Sequence, residues 1–209
     1  MLRFYKTPWL LKKLMPNYTW HREVKGKQLF LTFDDGPIPE VTPWVLEQLS
    51  KYKAKATFFC VGENISKNTS IARQIVEQGH LLANHTYNHL KGWKTPLEVY
   101  LGNTAQCQQE VEALQQSTKK LFRPPYGRIT KEQGTQLHPS YEIIMWDVLT
   151  NDYDLSLSPE KCLQKSIKYT QSGSIIVFHD SLKAKRNMMY VLPRFLEHFS
   201  SLGYTFETL

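Results

Sequence analysis

Residues 29–37 read LFLTFDDGP, an apolar run that ends on two adjacent aspartates and a Gly-Pro turn signal. Residues 29–33 have the length and composition of a buried strand. A turn explains the glycine and the proline, but it does not explain why Asp34 and Asp35 should repel each other at the end of an apolar strand. A nearby cation removes that conflict, because one carboxylate can bind a metal while the other acts as a base on water.

Short apolar runs alternate with helical patterns along the rest of the chain. The runs predict seven strands, at 29–33, 57–61, 80–84, 120–123, 142–147, 174–179 and 204–207. The intervening patterns predict helices near 41–53, 68–78, 96–117, 128–137, 159–171 and 187–202. This order favours an α/β fold with a parallel sheet and helices outside it, as a barrel or near-barrel, with an open doubly wound sheet as the alternative.

Length and composition exclude several classes of protein. A chain of 209 residues and 24.5 kDa with 41% hydrophobic and 22% charged residues is neither disordered nor collagen-like, and it is long enough for one domain. No apolar run reaches the ~18–20 residues of a membrane span. No secretory signal is visible, so we expect a cytoplasmic location by default, with peripheral membrane or envelope association as the alternative.

The net charge of +7 is concentrated at the amino terminus. Residues 1–27 contain seven basic residues and one acidic residue, whereas residues 28–209 are nearly balanced. We therefore predict a basic segment, 1–27, and a single catalytic domain, 28–209. The segment could lie on an anionic lipid or glycan surface, but an amphipathic segment covering one end of the domain is the favoured interpretation. The balanced charge elsewhere argues against a nucleic-acid partner.

Three cysteines occur without a C-x-x-C spacing. We predict that Cys60, Cys107 and Cys162 are buried structural thiols rather than metal ligands.

Polar side chains cluster at the carboxyl ends of five predicted strands. The groups are Asp34-Asp35, His85 with His89, residues 123–126, Asp147 with Asp152, and His179-Asp180. In a β/α barrel, the loops at this face build the active site. The pattern therefore predicts one site assembled from five groups.

His85 and His89 are spaced i and i+4, which on a helical turn would let both imidazoles reach one ion. A surface or helix-capping histidine pair is the alternative interpretation. A carboxylate from Asp34 or Asp35 would complete a two-histidine, one-carboxylate set with a position left for water.

The chain resembles the polysaccharide deacetylases of carbohydrate esterase family 4, which share the NodB homology domain. Residues 32–37 (TFDDGP), 85–89 (HTYNH) and 123–127 (RPPYG) match its first three motifs. Residues 151–153 (NDY) and 177–179 (VFH) are similar to the fourth and fifth motifs. The resemblance implies a distorted (β/α)7 barrel and a divalent metal, commonly Zn²⁺, with Co²⁺ or another divalent ion as the alternative.

The resemblance also implies a role for each matching residue. It assigns Asp34 as the catalytic base, held by Arg123, and it assigns Asp35, His85 and His89 as the metal ligands.

A second set of roles concerns the leaving group and the oxyanion. The resemblance assigns His179 as the general acid, Asp152 as the partner that holds its imidazole, and the backbone N–H of Tyr126 as an oxyanion donor. Asp147 and Asp154 lie close in sequence and are the competitors for the role of Asp152.

Departures from the family pattern occur around the acetyl pocket. Tyr153 stands where the fourth motif usually has tryptophan, Val177 replaces a leucine, and Leu90 replaces a frequent proline. We predict that Pro125, Tyr126, Trp146 and Val177 bind substrate, although Trp146 is equally consistent with a core position. We interpret Asn64, Asn84 and Asn103 as ordinary polar or turn residues.

These inferences predict a hydrolase of non-peptide C–N bonds that removes N-acetyl groups from a saccharide of the chitooligosaccharide or peptidoglycan type. Two alternatives stay open at this stage. One is an O-acetyl esterase on acetylated polysaccharide, and the other is a catalytically inactive glycan-binding module.

Overall fold

The strand that carries the paired aspartates lies inside an all-parallel sheet. The computed structural model describes residues 4–116 and 119–209. Its strands are β1 (Gln28–Asp34), β2 (Ala56–Cys60), β3 (Leu81–Asn84), β4 (Leu121–Phe122), β5 (Glu142–Ile143), β6 (Val148–Leu149), β7 (Ile175–His179) and β8 (Thr205–Phe206). Their order is β5-β4-β3-β2-β1-β7-β6, and β8 pairs with the start of β1.

Helices follow most strands, as the sequence predicts for a β/α fold. They are α1 (Trp9–Leu14), α2 (Thr42–Lys51), α3 (Gly62–Lys67), α4 (Thr69–Glu77), α5 (Leu97–Glu112), α6 (Lys131–Leu137), α7 (Pro159–Tyr169) and α8 (Lys185–Ser201). The two six-residue helices, α1 and α3, were not predicted, because one and a half turns are too short to show a helical period. The predicted helix 96–117 ends at Glu112, and its predicted last residue lies outside the described residues.

The core lies between the sheet and the outer helices. Phe33 on β1 stacks on Phe58 of β2 and Phe178 of β7, with ring centroids 5.0 and 5.7 Å apart. Phe178 in turn meets Phe195 of α8 edge-on. Alternate residues of the same strands point into the barrel, so the strands are buried on both faces and read as continuous apolar runs.

One predicted strand is wrong in its extent. Of the predicted strand 142–147, only Glu142–Ile143 is a strand, β5, and the unpredicted strand β6 begins just after the range, at Val148. β5 and β6 are the opposite edges of the sheet. Residues 144–147 bridge the gap between those edges. We call this crossing the seam. Residues 143–146 are all apolar and carry no periodic signal for such a break, so the end of β5 could not be predicted from the run alone.

The amino-terminal segment packs along the seam. Thr19 donates its N–H to the carbonyl of Ile143 at 2.9 Å and accepts the N–H of Met145 at 2.7 Å. Thr7 donates its N–H to the carbonyl of Asp147 at 2.9 Å, and Tyr5 and Trp20 are buried. The seam has no neighbouring strand to pair with, so its backbone N–H and C=O groups form hydrogen bonds with residues 4–22 instead.

A buried carboxylate anchors this segment. Asp147 accepts a hydrogen bond from Lys6 Nζ at 2.6 Å and from Ser174 Oγ at 2.6 Å, and Lys12 Nζ also contacts it. Burial alone would raise the pKa of Asp147, but these hydrogen bonds lower it below its ordinary value.

The three cysteines are buried and unpaired, as predicted. Burial raises the pKa of the Cys107 thiol to about 12, so these thiols stay protonated. Across residues 4–116 and 119–209, no helix has both the length and the apolar character needed to cross a bilayer.

Candidate active site

The carboxyl ends of β1, β3, β4 and β7 bring most of the predicted site residues to one end of the barrel. Asp34 and His179 end β1 and β7 and are Cα partners in the parallel register. Asn84, the last residue of β3, is the register partner of Phe122 at the end of β4. The histidine motif begins at the residue after β3, and the arginine motif begins at the residue after β4. The topology therefore brings both motifs to the same end of the barrel as Asp34 and His179.

Asp35, His85 and His89 form a compact donor set. Asp35 Oδ1 lies 3.8 Å from His85 Nε2 and 3.2 Å from His89 Nε2, and the three donor atoms all lie within 4.8 Å of one another. One carboxylate and two imidazoles at this spacing suit a borderline divalent ion such as Zn²⁺.

The protonation of His85 fits this role. Its Nδ1 lies 2.8 Å from the carbonyl oxygen of Arg123, which can only accept a hydrogen bond. Nδ1 therefore carries the proton, and Nε2 presents its lone pair toward Asp35. Burial lowers the pKa of His85 to about 4, so the ring is neutral near pH 7, as a metal ligand must be.

The expectation that residues 85–89 form a helical turn is wrong. Thr86 and His89 have positive φ values of 62° and 54°, so the segment is a loop in which the two rings still approach to 5.1 Å between centroids. Asn84 Oδ1 accepts the N–H of Thr86 at 2.9 Å, and Asn103 Oδ1 accepts the N–H of Tyr87 at 2.8 Å. Side-chain hydrogen bonds thus replace the helical ones.

Asparagines that we interpreted as ordinary polar residues therefore shape the site. Asn64 is a third example, since its Nδ2 donates to the carbonyl of Asp35 at 2.7 Å. Their role has no sequence signature, because each partner lies in another segment of the chain. Only Asn84, which sits next to His85 in sequence, could have drawn attention.

A buried carboxyl group braces the turn after Asp35. Asp180 Oδ1 accepts the N–H of Gly36 at 3.0 Å, and its Oδ2 accepts the Thr42 hydroxyl at 2.5 Å. A Cβ on Gly36 would lie 2.0 Å from Asp180 Oδ2, so glycine is required there. Burial raises the pKa of Asp180 to about 8. Asp180 therefore fixes the backbone of the turn that follows Asp34 and Asp35.

Asp34 is held by a fully buried arginine. Arg123 Nη1 donates to Asp34 Oδ1 at 2.6 Å and to Thr32 Oγ1 at 2.7 Å. Its Nη2 donates to the carbonyl of Met145 in the seam at 2.9 Å, and its guanidinium lies 4.1 Å from the centre of the Phe59 ring. The carboxylate of Asp34 is therefore fixed in orientation by a charge-assisted hydrogen bond.

His179 is paired with Asp152. Nδ1 of His179 lies 2.7 Å from Asp152 Oδ1, and the His179 N–H donates to Asp152 Oδ2 at 2.8 Å. Burial would lower the pKa of His179, but the charge and hydrogen bond of Asp152 outweigh it and raise that pKa to about 9. Of the two competing aspartates, Asp147 binds the lysines of the amino-terminal segment, and Asp154 accepts hydrogen bonds from Ser156.

The RPPYG motif forms a strained turn beside the histidines. Tyr126 has a φ of 61°, an uncommon value for a residue with a side chain, and its exposed ring lies 4.8 Å from that of His89. The Trp146 ring packs on Gly127, where an added Cβ would approach it to 2.3 Å. Trp146 thus lies against the turn, whereas Pro125 is buried within it.

Val177 is placed differently from the other predicted substrate residues. It lies two residues before His179 on β7, so both side chains are on the same face of the sheet. It is almost fully buried, and it therefore packs beneath His179 without exposing surface to a groove.

Backbone strain is concentrated at this end of the barrel. Six described residues other than glycine have a positive φ, namely Asp35, Lys53, Thr86, His89, Tyr126 and Asn151. All except Lys53 belong to the site motifs or adjoin them. Such strain costs of order 1–3 kcal/mol per residue and persists at functional sites where surrounding contacts impose it.

Comparison with known proteins agrees with the motifs. Residues 21–138 match the family model described as polysaccharide deacetylase. The chain belongs to this family. The predicted family and the predicted enzyme class, a polysaccharide deacetylase, are thereby confirmed, and the predicted distorted (β/α)7 barrel is confirmed by the structures below.

Similar members of the polysaccharide deacetylase family extend over nearly the whole chain. A peptidoglycan-N-acetylglucosamine deacetylase of Bacillus cereus is 31% identical, over 96% of this chain and 95% of the relative. A crystal structure of a peptidoglycan N-acetylglucosamine deacetylase in complex with a benzamide has a TM-score of 0.88 at 28% identity, covering 97% and 95% of the two chains. A mutant of a pseudoenzyme of carbohydrate esterase family 4, with restored activity, has a TM-score of 0.81 at 26% identity, covering 91% and 68%.

Proposed function

We propose that this deacetylase removes N-acetyl groups from an N-acetylated saccharide of the peptidoglycan or chitooligosaccharide type, with Asp34 as base and His179 as acid. The observation that carries the proposal is the register of these two residues. They end neighbouring strands as Cα partners, one held by Arg123 and the other by Asp152, beside the donor set of Asp35, His85 and His89.

Asp35, His85 and His89 would hold the divalent ion, for which Zn²⁺ best suits the mixed nitrogen and oxygen donors. Such an ion would polarise the acetyl carbonyl and acidify a water molecule at the site.

Asp34 and His179 then move the protons. Asp34 removes a proton from the attacking water as the new C–O bond forms at the acetyl carbon. His179, protonated near pH 7 because its pKa is about 9, donates its Nε2 proton to the sugar nitrogen as the C–N bond breaks. The products are acetate and a free amino sugar, and Asp34 and His179 then exchange their protons with solvent.

The strained turn stabilises the charge that develops on the acetyl oxygen. The backbone N–H of Tyr126 is the proposed donor, and the left-handed conformation of this residue sets its direction. One preorganised donor of this kind is typically worth ~3 kcal/mol of transition-state stabilisation.

An amide substrate is favoured over an ester by the acid. An amine is a poor leaving group without a proton, and a histidine whose pKa is raised to about 9 carries that proton at neutral pH. An alkoxide leaving group from an O-acetyl ester depends less on being protonated by this histidine. The similarity to a peptidoglycan-N-acetylglucosamine deacetylase of Bacillus cereus supports the same choice and an association with the cell envelope.

Acetate release tests the proposal. Metal-stripped protein would be assayed with and without Zn²⁺ or Co²⁺ on N-acetylglucosamine oligomers, peptidoglycan fragments and acetylated xylan, with Asp34→Asn as control. Metal-dependent release from the amide substrates that the control abolishes is expected. Release from xylan alone would support the esterase, and no release from metal-loaded protein would support a glycan-binding module.

A further inference from the structure

The outer face of helix α1 is apolar and uncovered. Of eleven large hydrophobic side chains that are exposed among the described residues, six lie in residues 4–15. They are Phe4 (54% exposed), Trp9 (71%), Leu10 (52%), Leu11 (38%), Leu14 (69%) and Met15 (41%). No residue of α1 is buried. Such a concentration is unusual, because exposed apolar residues on a folded domain are normally scattered.

The other side of the same segment is firmly attached to the barrel. Tyr5 is buried and stacks on Tyr169, and Trp20 is buried with its Nε1 donating to the carbonyl of Met15 at 3.2 Å. Lys12 contacts the buried carboxylate of Asp147 from within α1. The apolar face is therefore presented outward by a segment that is anchored at both ends, rather than by a loose terminus.

The charge around this face has one sign. Residues 4–22 contain no aspartate or glutamate. Lys6 and Lys12 share the single carboxylate of Asp147, which leaves one positive charge in excess. Lys13 lies over the Trp9 ring at 5.9 Å, and exposed Lys168 lies over Tyr169 at 5.7 Å. Apolar side chains thus point outward among unneutralised cations.

We propose that α1 and its flanks bind the surface of an anionic lipid bilayer. Tryptophan, leucine and lysine on one short amphipathic element are the residues that insert at the boundary between headgroups and acyl chains. A second copy of this chain is disfavoured. Pairing two such faces would oppose like charges, and a helix about 9 Å long cannot supply the roughly 800 Å² per partner of a stable interface.

Vesicle co-sedimentation of the full chain tests this surface. Vesicles of phosphatidylglycerol with phosphatidylcholine should bind the protein, and vesicles of phosphatidylcholine alone should bind it at least about tenfold more weakly. The double variant Trp9→Ser/Leu14→Ser should lose about tenfold or more in partitioning. Lys13→Gln should lose about fivefold.

Matched control variants separate binding by α1 from nonspecific adsorption to vesicles. Val99→Ser/Leu202→Ser removes two other exposed apolar side chains, at 56% and 47% exposure, and Lys131→Gln removes a lysine from α6. Both controls should bind as the unchanged protein does.

The proposal is overturned if lipid charge makes no difference, if Trp9→Ser/Leu14→Ser binds normally, or if light scattering shows a dimer that this variant abolishes. Should that variant fail to fold, brominated lipids supply a second test. They should quench fluorescence in the unchanged protein and not in Trp9→Phe. Deacetylation of a soluble substrate should be unaffected by α1 variants, so the outcome is independent of the proposed function.

Discussion

His85 and Arg123 are joined by a 2.8 Å hydrogen bond from the Nδ1 atom of the histidine to the backbone carbonyl of the arginine. The same arginine holds Asp34 through its guanidinium at 2.6 Å. One residue therefore sets the tautomer of a proposed metal ligand with its backbone and the orientation of the proposed base with its side chain. The ion site and the base are positioned together.

Replacing His85 should weaken metal binding. We expect His85→Ala to reduce Zn²⁺ affinity by roughly tenfold or more, because one of three donors is lost. It should also lower the melting temperature at a fixed zinc concentration, since bound metal stabilises the folded state. Elemental analysis and thermal melting measure both effects. His138→Ala, at an exposed histidine, is the control, and unchanged zinc stoichiometry in His85→Ala would remove His85 from the ligand set.

The adjacent aspartates should have opposite phenotypes. We expect Asp34→Asn to keep its metal and lose about 10²–10⁴-fold in kcat, because the base can no longer accept a proton. Asp35→Asn should instead lose the metal. Zinc content and acetate release, measured on both variants, distinguish the two. Turnover retained in Asp34→Asn would reassign the base.

Activity should fall at high pH as His179 loses its proton. The pKa of His179 is raised to about 9, so the acid form is present below that pH and is lost above it. A bound cation would offset the pull of Asp35, so we expect kcat/KM of the metal-loaded enzyme to decline with an apparent pKa between the ordinary histidine value of about 6.5 and about 9. In Asp152→Asn the apparent pKa of this alkaline decline should move toward the ordinary histidine value of about 6.5. An alkaline limb that Asp152→Asn leaves in place would show that another group donates the proton.

His80 should make the fold sensitive to mild acid. Its Nδ1 accepts the N–H of Ala56 at 3.2 Å, and burial lowers its pKa to about 4. Between pH 6.5 and 4 the unfolded chain binds a proton that the folded chain does not, so the free energy of unfolding decreases as the pH falls. The loss from this group amounts to at most roughly 3 kcal/mol.

Urea denaturation at several pH values measures that loss. His80→Gln, which keeps an acceptor but does not titrate, should flatten the dependence between pH 6.5 and 4 relative to the unchanged protein. His138→Gln should leave it unaltered, because that histidine is exposed. Equal slopes for all three proteins would contradict the prediction.

The buried Asp147 should control attachment of the amino-terminal segment. Asp147→Asn leaves Lys6 and Lys12 without their counter-charge, so we expect a loss of about 1–3 kcal/mol in the free energy of unfolding and faster trypsin cleavage after Lys12. Glu47→Gln breaks an exposed pair with Lys51 and should change stability by less than about 0.5 kcal/mol. Mass spectrometry of the tryptic fragments identifies the cleavage site.

Local patterns in the sequence, together with the family motifs, were sufficient to predict the fold and a set of candidate site residues that the structure brings together. The alternation of apolar runs and helical stretches indicated a parallel α/β fold, because strands buried on both faces appear in the sequence as short continuous apolar runs. The family motifs then favoured the barrel over an open doubly wound sheet. The placement of polar groups after each strand predicted one site, since parallel strands all end at the same face. Asp34, Asp35, His85 and His179 follow from that rule together with the family motifs.

Tertiary structure alone decided the features that depend on contacts between distant segments. Residues 143–146 form one apolar run, and only the tertiary structure ends β5 at Ile143 and starts β6 at Val148, on the opposite edge of the sheet. The spacing of His85 and His89 suggested a helical turn, but hydrogen bonds from Asn84 and Asn103 impose a strained loop. Asp147 and Asp152 both follow the fifth predicted strand, and residue type does not separate them. Their roles differ because one is reached by Lys6 and Lys12 and the other by His179, and a carboxylate takes its function from the charges that folding brings to it.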